Sequence, residues 1–304
     1  MRNTLYSSIL IAIVACSSSF SQEKKEAQNF NSYWYSGEAE ISSYELQQVR
    51  YGEIHQGTSV LVFVTEPFSK SKQVKLDDWR NKSEDNVSVL KLNMTKKFLT
   101  GIYPYSMMMS TFVPVSYDQI PNLFKITTSS QEWCGHTWMQ LNFQDEAYRL
   151  KGLSYFESEG DVDVSIPDVV LEDELWTRIR LNPSSLPVGE VNLLPSTFYL
   201  RLKHQDTTPK NAKISLSQMN KSEFSQSLHT KYSVIYDDRS LHIYFQSDFP
   251  YTILGWEESY SNRFDDTEKL KTKAKKINTI KSAYWKENSN SSRVIRKELG
   301  LEVD

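Results

Sequence analysis

The chain has 304 residues, 39% hydrophobic and 24% charged, with a formal net charge of −3. That balance belongs to a folded globular body and excludes a disordered chain, while the weak negative charge excludes a nucleic-acid footprint spread over the whole surface. Aromatic residues reach 12%, with 17 Tyr and 14 Phe against only 10 Gly, a mixture suited to pleated, half-buried strands.

The N-terminus carries the most specific signal. Arg2 precedes a short apolar stretch, Leu5–Val14, interrupted at Tyr6-Ser7-Ser8 and ending in Ile13-Val14-Ala15-Cys16. A basic start followed by an apolar run too short to cross a bilayer reads as a secretory signal peptide. Its ending resembles the bacterial lipobox, so residues 1–15 are expected to be removed and Cys16 acylated; a plain signal peptide with an incidental Cys16 is the alternative. Acyl chains hold a protein on a membrane because each buried CH₂ contributes about 0.8 kcal/mol. The expected location is the cell envelope, anchored in the outer membrane and facing the periplasm. Residues 16–31 are polar and aperiodic and read as a flexible tether. With Cys16 acylated, Cys134 has no intrachain partner and is expected to be buried and inert.

The domain is expected to begin at Tyr33-Trp34-Tyr35. Residues 33–54 read as loosely strand-like, although Ser43 could cap a short helix through Glu45–Val49. Gln56-Gly57 makes a plausible turn before the apolar run Ser59–Glu66. Residues 69–86 read as an exposed loop, and Val87, Val89, Leu92 and Met94 mark the next strand. In residues 101–115, Met107, Met108 and Met109 either fill gaps in the core or offer a soft apolar surface.

Lys125–Phe143 reads as one alternating central strand. On that reading Glu132, Cys134 and His136 share a face with Trp138, and Trp133 lies on the other. A thiol beside an imidazole begins a nucleophilic pair, and a carboxylate could orient the imidazole. These three are the candidate catalytic residues. Gly135 between them equally marks a bulge or a close backbone approach. Trp133 and Trp138, with Met107, Met108 and Met109, form the candidate binding surface.

After an alternating segment at Tyr148–Phe156, the acids Glu157, Glu159, Asp161 and Asp163 cluster in a turn. They lack the order of a calcium loop, so neither metal nor cofactor is expected. An amphipathic helix near 166–181 is expected next. Ser165 would cap it, Pro167 would lie near its first turn, acids load its N-terminal half, and Leu171, Leu175 and Ile179 form its apolar face. Further strands follow at Glu190–Leu194, Thr197–Lys203, Lys213–Gln218, Lys231–Tyr236, Ser240–Gln246 and Tyr251–Tyr260, with a hairpin turn at Asp237-Asp238-Arg239. Lys269, Lys271, Lys273 and Lys275 recur at period two, as on a charged edge strand or a face meeting acidic lipid headgroups. Residues 286–304 read as a loose tail.

The fold expected is mainly β: either one large curved antiparallel sheet or two open half-barrels. A faint echo between residues 102–106 and 248–252 suggests two related halves, 32–164 and 165–285.

The segments YWYSGEAEISSYELQQVRYGEI, LVFVTEPFSKSKQV, YPYSMMMSTF, TSSQEWCGHTWMQL, SYFESEGD, EDELWTRIR and FPYTILGWEE resemble a group of flavobacterial envelope lipoproteins, over most of residues 33–285. Members of that group often carry the label septum formation inhibitor Maf, which implies a nucleotide pyrophosphatase. Maf proteins are cytosolic α/β enzymes with a Ser-x-Arg-Arg loop, whereas this chain contains no Arg-Arg pair. The expected role is non-catalytic: binding a lipid, another hydrophobic ligand or an envelope partner, with the membrane reached through Cys16 and no nucleic acid involved. An envelope hydrolase using Cys134 and His136 is the alternative, and the labelled pyrophosphatase a third.

Overall fold

A computed structural model describes residues 28–78, 80, 83–120, 122–157, 159–260 and 270–301. Cys16 and Lys269 lie outside the described residues. Two compact units are distinguished, residues 1–38 and residues 39–304. In the first, residues 28–34 form a helix, α1, where the end of a flexible tether was expected.

The second unit is the mainly β body that the composition predicted. In chain order it contains β1 (Ala39–Arg50), β2 (Glu53–Ser69), β3 (Val74–Lys75), β4 (Asn86–Thr100), β5 (Tyr103–Pro114), β6 (Lys125–Glu132), β7 (Gly135–Gln144), β8 (Ala147–Ser154), β9 (Val162–Pro167) and β10 (Val170–Leu171). Then follow α2 (Glu172–Leu181), β11 (Gly189–Leu194), α3 (Thr197–Lys203), β12 (Lys210–Met219), β13 (His229–Ile235), β14 (Arg239–Gln246), β15 (Ile253–Tyr260), β16 (Lys271–Ser282) and α4 (Val294–Glu298).

Among the described residues all 16 strands belong to one open sheet, ordered β10-β11-β12-β13-β14-β15-β16-β1-β2-β4-β5-β6-β7-β8-β9, with β3 paired to β2. Every pairing is antiparallel except the short β10–β11 ladder. The first and last halves of the chain meet where β16 pairs with β1, so both are parts of one sheet.

Helix α2 explains why the sheet curls. Its residues from Glu172 to Arg180 are all buried, and its contacts come from strands far apart in the sheet. Arg180 meets Glu40 of β1 and lies over the Phe63 ring of β2. Thr177 hydrogen-bonds Thr111 of β5, Trp176 packs edge-on against Trp256 of β15, and Glu172 pairs with Arg239 of β14. Only a sheet bent round the helix brings those strands within reach of one another's partners. The inner face is set by register: Glu40, Phe63 and Leu92 align across β1, β2 and β4, followed by Thr111 on β5.

Several local expectations are corrected. The helix begins at Glu172 rather than near Ser165, because residues 162–167 pair with β8 as a strand. It is not amphipathic in the solvent-facing sense, since Glu172, Glu174, Arg178 and Arg180 are buried in ion pairs and Asp173 against Thr197. Ser43 caps no helix: it lies inside β1, and its hydroxyl donates to the Leu299 carbonyl at 2.5 Å. The first hairpin turns at Tyr51-Gly52, both at positive φ, as two-residue hairpin turns favour. Gly57, expected in a turn, sits inside β2, where a Cβ would lie 2.2 Å from the Lys97 carbonyl oxygen. Thr197–Lys203 is a helix and not a strand. Its alternation is real, but Ser196 caps the segment by accepting from the Phe198 N–H.

The lysine-rich β16 is internal to the sheet, paired with β15 and β1, and therefore no edge. Lys273 of β16 pairs with Glu223 and Glu257. The C-terminal segment is not a loose tail. Leu299 and Leu301 are buried on a cluster with Ala39, Ile41 and Val64 on the outer face, so a short amphipathic segment covers apolar surface that would otherwise meet water.

Candidate functional site

The stretch from Lys125 to Gln144 is a hairpin, β6 and β7, rather than one strand. Its turn is Trp133-Cys134, and Glu132 pairs with Gly135 while Gln131 pairs with His136. Directly paired residues share a face, so Glu132 and His136 point to opposite sides of the sheet. Glu132 is buried on the inner side and His136 is exposed. Cys134 is exposed at the turn, contrary to the expected burial. Its backbone N–H donates to the Glu132 carboxylate at 2.6 Å. The thiol, hydrogen-bonded to the same carboxylate, is held above its ordinary pKa, the reverse of what activates a cysteine nucleophile. The three candidate catalytic residues are thus neighbours in sequence that form no Cys–His pair.

The candidate binding surface is likewise divided. Met107 and Met109 are buried on the inner face. Met108 pairs with Ser129, which pairs with Trp138, and that row lies on the outer face. Trp133 projects from the turn. Two of the methionines fill core, and the remaining residues belong to separate surfaces. Two of the acids at 157–163 are committed elsewhere: Asp163 forms a bidentate pair with Arg149 at 2.7 Å, and Glu159 pairs with Arg201 and His204. Among the described residues no group of three or more potential ligands is placed to hold a metal ion.

What the fold does build is a cleft beside α3. The helix is held at its start by Asp173 of α2, which accepts from the Thr197 N–H at 2.9 Å and from its hydroxyl at 2.5 Å. The same hydroxyl lies 2.5 Å from that of Thr128 on β6. His204 ends the helix in the left-handed conformation, at φ 49°, which turns the chain away and leaves the imidazole beside the β8–β9 connection. The cleft has a volume of about 580 Å³, and Thr128, Thr137, Met139, Leu200, Arg201 and His204 are among its lining.

At that cleft Glu159 gathers three partners. Its Oε1 lies 2.6 Å from His204 Nδ1 and 3.2 Å from Arg201 Nη1, and its Oε2 accepts from the Ser154 hydroxyl at 2.6 Å. Arg201 lies over the Phe156 ring, 4.5 Å from its centroid, and His204 meets the same ring edge-on. The carboxylate is therefore neutralised locally and the imidazole fixed in orientation. Ser154 spends its hydrogen bond on Glu159 and not on His204, so no hydroxyl–imidazole nucleophilic pair is assembled. The arrangement suits recognition: a half-apolar cleft with a few fixed polar groups.

Deeper inside, charges are arranged around the helices. Arg239 bridges Glu172 and Glu258, and Lys96 lies buried with its ammonium 5.2 Å from the Phe198 ring centroid. Burial pushes the Lys96 ammonium below its ordinary pKa, lifts Asp173 to about 6 and lifts Glu174 to about 7. Of the candidate binding residues Trp138 borders the cleft; sequence reading missed the rest of the cleft and this interior. The available signals were Ser196 as a cap and the concentration of charge in residues 172–180; neither names its partners, which come from distant strands.

The fold and cleft define a class by shape: an open antiparallel sheet curled round a buried helix, with a ligand-sized cleft beside a second helix. Comparison with family models, curated proteins and solved structures finds no match to this chain.

Proposed function

We propose that the protein is a lipid-anchored component of the cell envelope, acylated at Cys16, exposed to the periplasm, and binding an amphiphile without chemical turnover. The observation that carries the reading is the cleft of about 580 Å³, which falls in the size range of small-molecule sites. Met139 and Leu200 supply apolar wall, while Arg201, His204 and Glu159 supply a charged cluster suited to a polar head. The composition and the lipobox-like residues at 13–16 support the envelope location. The exposure of Cys134 is the one observation on the side of a hydrolase, but the Glu132 carboxylate holds its thiol above the ordinary pKa, which opposes activation; for the pyrophosphatase no Arg-Arg pair occurs.

Native mass spectrometry of the detergent-extracted protein, with titration of a fluorescent fatty-acyl probe, tests the reading. A lipid-sized adduct and saturable probe binding are expected. Met139→Trp, which places bulk in the cleft, should weaken the probe at least about tenfold, a loss of about 1.4 kcal/mol, without shifting the unfolding midpoint. No adduct and no saturable binding by the unaltered protein would refute it.

A further inference from the structure

The hairpin turns at one end of the sheet carry large exposed side chains. Because the strands alternate in direction, the β1–β2, β4–β5, β6–β7 and β8–β9 connections all emerge at the same end. They present Tyr51, Ile102, Trp133 and Tyr155, between 60% and 81% exposed.

These residues form a connected row. The Tyr51 and Tyr105 hydroxyls lie 2.8 Å apart, and the Tyr103 hydroxyl donates to that of Tyr51 at 3.1 Å. The Tyr103 and Trp133 ring centroids are 6.4 Å apart. Tyr155 packs over Gly135, so closely that a Cβ there would lie 2.8 Å from its ring. The opposite end carries the acidic β7–β8 turn Asp145-Glu146, and Val188, Leu228 and Trp285 are exposed on separate segments there. At the row's own end the turn between β13 and β14 carries Asp237 and Asp238, so the linked aromatic row is confined to the connections from β1–β2 to β8–β9.

We propose that this row of turn residues seats the protein on a lipid bilayer, with the aromatic rings in the headgroup region. Exposed aromatic and aliphatic side chains that adjoin one another mark an interaction site. They project from tips along one end rather than lining a groove, which suits a plane. Tyrosine and tryptophan, apolar in body and polar at one atom, are the residues that the membrane interface favours. Chain length sets only what is covalently allowed: Cys16 to Gln28, fully extended, spans roughly 40 Å. The chemistry of the row carries the proposal, independently of the lipoprotein reading.

The test uses the full chain carrying Cys16→Ser, in which Cys134, beside Trp133, is the single thiol. An environment-sensitive dye on Cys134 should shift to the blue when vesicles of phosphatidylethanolamine and phosphatidylglycerol are added, and nitroxide lipids should quench it. The same dye at Asp145→Cys, in a chain also carrying Cys134→Ser, should do neither. Replacing Ile102 and Trp133 together by alanine should raise the lipid concentration needed for half the shift at least about tenfold, since each buries apolar surface worth a large factor in affinity; both residues are exposed, so folding is not at stake. Equal responses at the two dye positions, or none at Cys134, would overturn the proposal. Because the chain tested is not acylated, failure of the anchor reading leaves this result interpretable, and Met139→Trp separates it from cleft binding.

Discussion

Replacing Arg180 by Met tests whether the buried ionic framework holds the helix inside the sheet. The Arg180 guanidinium donates from both terminal nitrogens to the two oxygens of Glu40 at 2.5 Å, and from Nε to the Pro250 carbonyl at 2.9 Å. Both side chains are almost wholly buried, at 1% and 0% exposure. Removing the cation leaves a carboxylate in a low-dielectric interior, which costs about 3–5 kcal/mol. Against a total stability of roughly 5–15 kcal/mol for an ordinary domain, that is a large fraction. Removing both charges is different, since apolar groups of similar volume often replace a buried pair at little cost. Two single losses of that size add to roughly 6–10 kcal/mol, and Arg180→Met with Glu40→Leu should therefore recover most of that sum and be more stable than either single variant. Urea denaturation followed by tryptophan fluorescence reads this directly, because Trp176 and Trp256 pack against each other beside the pair's helix. A loss below about 1 kcal/mol for Arg180→Met, or a double variant as unstable as the singles summed, would refute the reasoning.

Burial raises the Glu174 carboxyl from 4.5 to about 7, so the folded state retains a proton that the unfolded chain releases. Its stabilising contribution is complete below about pH 4.5 and is lost as pH rises through about 7; Glu174→Gln should flatten that part of a plot of Tm against pH. Gly57→Ala must force β2 from β4, because its Cβ would meet the Lys97 oxygen and the Phe98 Cβ. A loss of about 1–3 kcal/mol is expected in denaturant titration. Deleting residues 294–304 uncovers Ile41 and Val64 and removes the buried Leu299 and Leu301. The shortened chain should lose about 2–5 kcal/mol and bind a hydrophobic dye that the full chain does not.

Much of the strand content was legible because alternation is a local property. Val87–Met94 and the strands between Lys213 and Gln246 follow from patterning along the chain, and Ser59–Glu66 from its continuous apolar, β-branched run. Local signals failed where two structures share a pattern. Phe198, Leu200 and Leu202 alternate as a strand would, yet Ser196, Asp173 and Thr128 together hold that segment as α3. Between Lys125 and Gln144 the alternation runs through Trp133-Cys134 without a turn residue to mark the reversal. The three catalytic candidates therefore looked aligned although the ladder places Glu132 and His136 on opposite faces.

The amino-acid sequence by itself determined the β-rich class, the charge balance, the lipobox-like start and the presence of a helix near residue 175, since each depends on composition or on neighbours a few positions away. Tertiary structure alone decided that β16 lies at the centre and not the edge, that the charges of α2 face Glu40 and Arg239 instead of water, and that Glu159, Arg201 and His204 gather at one cleft. Those outcomes depend on which segments a curled sheet brings together, from 42 residues apart for Glu159 and Arg201 to 140 for Glu40 and Arg180, and no local pattern encodes that pairing.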